Sequence, residues 1–536
     1  MAYSVRDLAF LTMVSLAVPA GATSSELLHE RVDACVEAKA DGRRPTATAG
    51  DAEFLRRIYL DLAGRTPSTR EAHNFLADQS PAKREALIDR LLAGADYPRR
   101  MAELFDAVLM ERLGEHPAWT QYLQDAFAVN KPWDRIAREI LRADPVDRVN
   151  RGASFFMAKR LEHYGENPVD YNGLAADVGR LFLGNDLRCA QCHDHISITD
   201  YKQRDFQGLL AFVRNAYVHD PKGPVVGEKP TTEKLAFASV FDKVKAETGP
   251  RVPGRDEVAV PSYQKGDEFL QPADRNAGAP AVPRFSPLSE LSARLPSPEN
   301  RAFARNTVNR LWLAMMGRGL VHPPDQHHSD NAPSHPELLD LMADEFVAHR
   351  FDVRWLLREL ALSKTYQRSG VLPEGVEPPA PETFLIAHEK RLSAEQLLRS
   401  MLQATGDRDP IAGKGEDHGA SMALRARFLK AFANPPREPE EEFSPTLGSA
   451  LFVLNDGAVL GWLEPKPGNL VDRLAGLSDA DAVAEELYMS VLSRPPTAEE
   501  REEVGVSLDE DPDKRPTALR HLVWSLLAST EFFTNH

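Results

Sequence analysis

Two of the three cysteines stand at Cys189 and Cys192, with His193 next in line, inside RLFLGNDLRCAQCHDHISITDYKQRDF, residues 180–206. Two thiols two residues apart, followed at once by an imidazole, are the shortest arrangement that can bond both vinyl groups of a haem and ligate its iron from one side. On that reading Cys189 and Cys192 form the thioethers of haem c, and Nε2 of His193 is the proximal ligand. His195 is too close to His193 along the chain to reach the opposite face easily; Met157, His163 and the histidines of the second half are the candidates there. The same residues allow other chemistry. Cys189, Cys192, His193 and His195 are a ligand set for zinc or another metal, although three of them crowd into residues 192–195 and structural sites usually draw a second pair from elsewhere. A Cys189–Cys192 disulfide, structural or redox-active, is a third option, and a reduced, buried pair holding no cofactor is a fourth. Asp194 and Asp200 could hold a histidine Nδ1–H from behind or cap the next turn.

The other concentration of polar character is NRAFARNTVNRLWLAMMGRGLVHPPDQHHSDNAPSHPELLD, residues 300–340. His322, His327, His328 and His335 lie close together there, without the spacing or acidic partners of a metal site. His335 precedes Pro336 at a helix start. Arg305, Arg310 and Arg318 could bind an anion or haem propionates; surface ion pairing is the ordinary role of each. Cys35 stands alone and takes no role. The chain has no serine nucleophile elbow, phosphate-binding glycine loop or HExxH helix.

The first residues bear on compartment. Arg6 precedes an apolar stretch, Leu8–Val18, broken only by Thr12 and Ser15, and Pro19-Ala20-Gly21-Ala22 supplies a small-x-small cleavage pattern. This predicts a signal peptide over 1–22 and a mature chain from near Thr23, exported to the periplasm or beyond. No cysteine follows the cut, which argues against a lipid anchor there, and no later run is long enough to span a membrane. A net charge of −16 over 536 residues disfavours sequence-independent nucleic-acid binding, which needs surplus Lys and Arg.

Positioning these residues falls mostly to helices. PAKREALIDRLLAG places Pro81 in a first turn and Leu87, Ile88, Leu91 and Leu92 on one stripe. Ser393 and Gln396 form a capping box flanked by a Leu392/Leu397 staple, and Pro336 opens a helix carrying Leu339, Met342 and Phe346. YLDLAGRTPSTRE (59–71) and YMSVLSRPPTAEE (488–500) echo one another: Tyr, Arg six residues on, then a capping box. Between about 215 and 287 prolines and glycines are dense, with β-prone runs such as Val258-Ala259-Val260. The expected fold is therefore mainly α: a helical domain over 23–214 bearing the cysteines, a Pro/Gly-rich connector or small β insertion over 215–287, and a C-terminal helical domain over 288–536.

FLRRIYLDLAGRTPS, LIDRLLAGADYPRR, DAFAVNKPWDRIAREIL and RLFLGNDLRCAQCHDH…DFQGLLAF make the stretch from about Leu28 to Phe212 resemble the planctomycete cytochrome-type CxxCH domain of unknown function. FARNTVNRLWLAMMGRGLV, PSHPELLDLMADEF, FDVRWLLRELALSKTYQRS, RLSAEQLLRSML and LLASTEFF make Leu288–Phe533 resemble the planctomycete-specific domain that usually follows it. The resemblance implies export and a C-x-x-C-H centre, with no settled reaction. Many relatives carry a further N-terminal cytochrome-c-like domain; here the signal peptide leads directly into the second module. Ile196-Ser197 replaces the Pro-Phe that relatives tend to place after the C-H-x-H run, and Gly448-Ser449 stand where they tend to have Gln-Ala. The function expected is an exported redox protein or haem-dependent oxidoreductase with a redox partner. The alternatives are a module binding or processing an extracellular polymer, with a structural Cys189–Cys192 disulfide, and a non-haem metalloprotein.

Overall fold

Local signals build the helices much as expected. Ser68 Oγ accepts the Glu71 N–H while Glu71 returns a carboxylate to the Ser68 N–H at 2.8 Å, starting helix Thr69–Ala77. Ser393 and Gln396 do the same for helix Ala394–Thr405. Helix Pro336–Ala348 begins on its proline and buries Leu339, Met342 and Phe346. Helix Lys83–Ala93 buries its leucine/isoleucine stripe, with Pro81 in the turn before its first residue. The protein is seen here as a computed structural model that describes residues 27–535 apart from 145, 146, 148, 163–167, 221, 275, 277, 407–416, 439–446 and 510–513. Residues 1–22, where the sequence predicts a signal peptide, and His163 lie outside the described residues. The fold is mainly helical, and no described helix is long and apolar enough to cross a membrane.

The connector contains three antiparallel two-stranded hairpins: Ala216–Asp220 with Val225–Glu228, Leu235–Ala238 with Lys245–Thr248, and Phe269–Gln271 with Val282–Pro283. The β-prone run at 258–260 forms no strand; Val258 N–H donates instead to Pro250 O at 2.8 Å.

The apolar cores divide the chain at a different place from the connector. One core runs from Leu28 to Phe384 and takes in helices Arg301–Met316, Pro336–Ala348 and Val353–Leu362. The second begins at Leu392 and gathers helices Ala394–Thr405, Ala480–Val491 and Arg515–Leu527. Packing thus separates near residue 385–392, because the helices after the connector turn back onto the first half. Leu60 belongs to the second core and Met489 to the first. The chain end joins the two, with Thr534–Asn535 pairing antiparallel with Lys390–Arg391.

The sequence echo is also an echo of structure. Arg65 lies over the Tyr59 ring at 5.4 Å and forks onto Glu71; Arg494 lies over Tyr488 at 5.3 Å and forks onto Glu500. Each arginine takes a second carboxylate, Asp96 or Glu531. The corners meet where Thr69 Oγ1 and Ser490 Oγ lie 2.8 Å apart. Arg65 holds the Glu71 carboxyl down at about 2, although burial alone would raise it.

Candidate cysteine–histidine site

Helix Tyr171–Leu183 ends at Gly184, which has the left-handed φ of +73°. A Cβ at this position would also lie 2.5 Å from His327 Cδ2. Glycine is needed both for the turn and for the approach of the 322–335 loop. The chain then makes the short 3₁₀ turn Arg188–Gln191, pinned by the fully buried Ala190, with Cys192 just beyond. Cys189 and Cys192 are free thiols and both are exposed. Neighbouring elements grip the turn through its carbonyls: Gln207 Nε2 donates to Gln191 O at 2.8 Å, and Val240 N–H to Cys192 O at 3.1 Å.

The two histidines are held in opposite tautomers. His193 Nδ1 lies 2.6 Å from Asp194 O. A carbonyl has no proton, so Nδ1 donates, and the neutral ring keeps its lone pair on Nε2. A backbone carbonyl behind Nδ1 is the usual orienting partner of a metal-binding histidine. His195 Nδ1 instead accepts the Ile198 N–H at 2.9 Å, which leaves the proton on Nε2. Of the two, His193 presents a ligating nitrogen. The Asp194 carboxylate is turned to other work, accepting the Gln203 N–H at 2.9 Å and pairing with Lys202 at 3.2 Å. Burial pushes that carboxyl up, but these two partners hold it below its ordinary value. Asp200 accepts the Ser329 N–H at 2.6 Å.

Around the thiols stands apolar surface facing water. Ile196 is 82% exposed, Val240 56%, Phe241 68% and Val244 63%. The last three sit at the tip of the Leu235–Thr248 hairpin, and the Phe241 ring packs on the His193 imidazole at 4.5 Å. Sequence reasoning missed this hairpin; a Val-Phe-x-x-Val run inside a polar, Pro/Gly-rich connector was the available signal.

The remaining sequence candidates are dispersed. Met157 is 1% exposed inside the first core. His328 lies edge-on to Tyr201, which is edge-on to His195, so the 322–335 loop reaches the cysteine turn through one aromatic ring. His327 is half-buried behind Gly184, and desolvation with Arg310 and Arg305 nearby drives its pKa down to about 3. His335 is buried against Phe384 and pushed down to about 4. Among the described residues no three His, Cys, Asp or Glu side chains converge on a metal position. Arg305 pairs with Asp340 at 3.2 Å, Arg310 with Asp325, and Arg318 lies beyond the Gly317 helix end. Cys35 is half-buried, and burial raises its thiol pKa.

One turn back from Gly184 the same helix carries buried charge. Arg180 forks onto Glu111 at 2.6 and 2.7 Å and reaches Asp325 at 2.8 Å; Asp177 takes Arg160 at 2.7 Å. Burial raises both Asp177 and Asp325, yet the flanking guanidiniums keep each below the usual carboxylate range. Asp177 and Arg180, spaced i and i+3 inside the apolar run LAADVGRLFL, are the sequence signal for this seam. Beside it lies a cavity of about 280 Å³ between the two cores.

Two family models match the chain. Residues 31–217 match PSCyt2, described as a protein of unknown function (DUF1549). Residues 289–421 match PSD1, also a protein of unknown function (DUF1553). The chain joins these two domains of unknown function. No curated protein and no solved structure matches it. The PSCyt2 match ends at the first hairpin strand, and the PSD1 match crosses from the first core into the second. The hairpin that bears Phe241 lies in the segment between the two matches.

Proposed function

We propose that Cys189, Cys192 and His193 hold a covalent haem on the surface of the PSCyt2 region, and that the exported protein serves as a redox carrier or haem-dependent oxidoreductase. The observation that carries this reading is the His193 Nδ1–H bond to Asp194 O, which aims a lone pair on Nε2 from beside two exposed free thiols. The donor set fits: each thiol S–H can add across one vinyl C=C, with sulfur and hydrogen both retained in the adduct and no oxidant required. Haem held there supplies one-electron chemistry. The protein's own part is to fix the imidazole through the Asp194 carbonyl and to shield it with Phe241. Ile196, Val240 and Val244 offer apolar surface that a flat macrocycle would cover, which accounts for their exposure.

Full-length protein produced with export and haem-attachment machinery tests the proposal. A Soret band should persist, and haem staining should survive denaturing electrophoresis. Replacing both thiols, Cys189→Ala with Cys192→Ala, should strip the stain under denaturing electrophoresis, with far-UV circular dichroism unchanged because both thiols are exposed. Colourless wild-type protein, with a mass lower by two hydrogens or with bound zinc, overturns it.

A further inference from the structure

The hairpin that lays Phe241 on His193 has little else to hold it there. No side chain between residues 235 and 247 is buried, and none belongs to either apolar core. Among the described residues, the stretch 236–247 makes only two hydrogen bonds outside the hairpin. Val240 N–H donates to Cys192 O at 3.1 Å, and Gln203 Nε2 to Ala238 O at 3.2 Å. The Phe241–His193 ring contact at 4.5 Å is the third link. A two-stranded hairpin with no buried face is marginally stable in water, so its place over the turn depends on these three contacts.

The hairpin is otherwise complete in itself. Its strands pair in continuous register, Lys243 N–H donates to Ser239 O at 3.0 Å, and Val244 N–H to Asp242 Oδ1 at 3.0 Å. Its feet are anchored: Thr231 and Thr248 are buried, Asn215 Nδ2 donates to Thr231 Oγ1 at 2.7 Å, and Arg251 N–H to Gly208 O at 3.1 Å. Opening between fixed feet therefore disturbs neither core. All three contacts of the tip also converge on the cysteine turn or its clamp. The buried Gln203 amide lies 3.4 Å from Gln191 O as well, so one side chain bridges turn and hairpin. His193 is half-buried with Phe241 against it, whereas Cys192 beside it is exposed.

We propose that the hairpin over residues 235–248 is a lid on His193, and that its opening sets the access of small molecules to that imidazole. The proposal rests on reading 189–193 as the functional turn and adds the regulation of that site. Docked, the lid covers the imidazole with Phe241 and fixes the Cys192 carbonyl through Val240. Opening gives up two hydrogen bonds and one ring contact, and it leaves the Asp194 carbonyl still orienting His193.

Full-length protein made without haem-attachment machinery tests the lid in its haem-free state. Hydrogen exchange should show amides 236–247 protected by less than about a thousandfold, as expected for a segment held by so few contacts. Acylation by diethylpyrocarbonate, located by peptide mass spectrometry, reads access to His193 directly. Replacing residues 236–247 by Gly-Gly joins Leu235 to Thr248, which already face one another across the ladder, and removes no buried side chain. His193 should then react at least about threefold faster, because access no longer waits on the open fraction, and His195 should gain less. Stronger protection of the hairpin, a smaller rise at His193, or an equal rise at His195 overturns the lid. If the protein made with the attachment machinery is colourless, the haem reading falls, and these haem-free measurements still decide the lid.

Discussion

Helix Tyr171–Leu183 serves two regions of opposite character. At its end, the Cys189–His193 turn exposes two thiols, with the exposed Ile196 and hairpin-tip residues Val240, Phe241 and Val244 nearby, and is held mainly through backbone carbonyls. One turn earlier, Asp177 and Arg180 lie buried in an ionic seam with Glu111, Arg160 and Asp325. The exposed region has reactive groups but few structural obligations; the buried one has many obligations and little freedom. Changes at the turn should therefore alter chemistry and spare the fold, and changes in the seam should do the reverse.

The sharpest break in that contrast comes from Arg180→Met. It strands Glu111 in low dielectric, leaves Asp325 with Arg310 alone, and should cost about 3–5 kcal/mol in urea unfolding, with any attached haem keeping its spectrum. Gly184→Ala, at the hinge between the regions, combines a positive φ with a collision against His327 and should cost about 1–3 kcal/mol. Acid should erode the buried side as well. His327 and His335 titrate near 3 and 4 when folded, but near 6.5 when unfolded. Above pH 6.5 both states are neutral and no penalty exists. As pH falls, the unfolded chain takes up protons that the folded one refuses, so stability should decline from pH 6.5 toward 4 and level off near 3. Urea midpoints at pH 7, 5.5 and 4.5 read this, and His327→Asn should flatten the curve. The smallest effect on stability belongs to Phe241→Ala, within about 0.5 kcal/mol at an exposed tip. Its signature should be chemical: more water at the attached haem favours the more charged oxidised state and lowers the reduction midpoint in spectroelectrochemical titration.

Much of the scaffold was legible from short stretches. The boxes at Ser68/Glu71, Ser393/Gln396 and Thr497/Glu500 form as read, because a cap is satisfied within three residues. The repeated Tyr–Arg–capping-box pattern proved to be one corner built twice, since its arginine finds both the ring and the carboxylate nearby. The Cys-x-x-Cys-His spacing was equally plain. Which histidine could ligate was not, because the tautomers of His193 and His195 depend on hydrogen bonds fixed only once the turn is folded. The split of the cores near residue 385–392 was hidden behind the more conspicuous Pro/Gly-rich connector.

The sequence by itself determined the helical character, the capped ends and the thiol–imidazole spacing, all set by interactions spanning a few residues. Tertiary structure decided that Arg180 meets Glu111 and Asp325, that a hairpin from the connector lays Phe241 on His193, and that the last strand closes against Lys390–Arg391. A buried charge or an exposed ring acquires its meaning from the neighbour opposite it, and here those neighbours lie about 50 to 150 residues away along the chain.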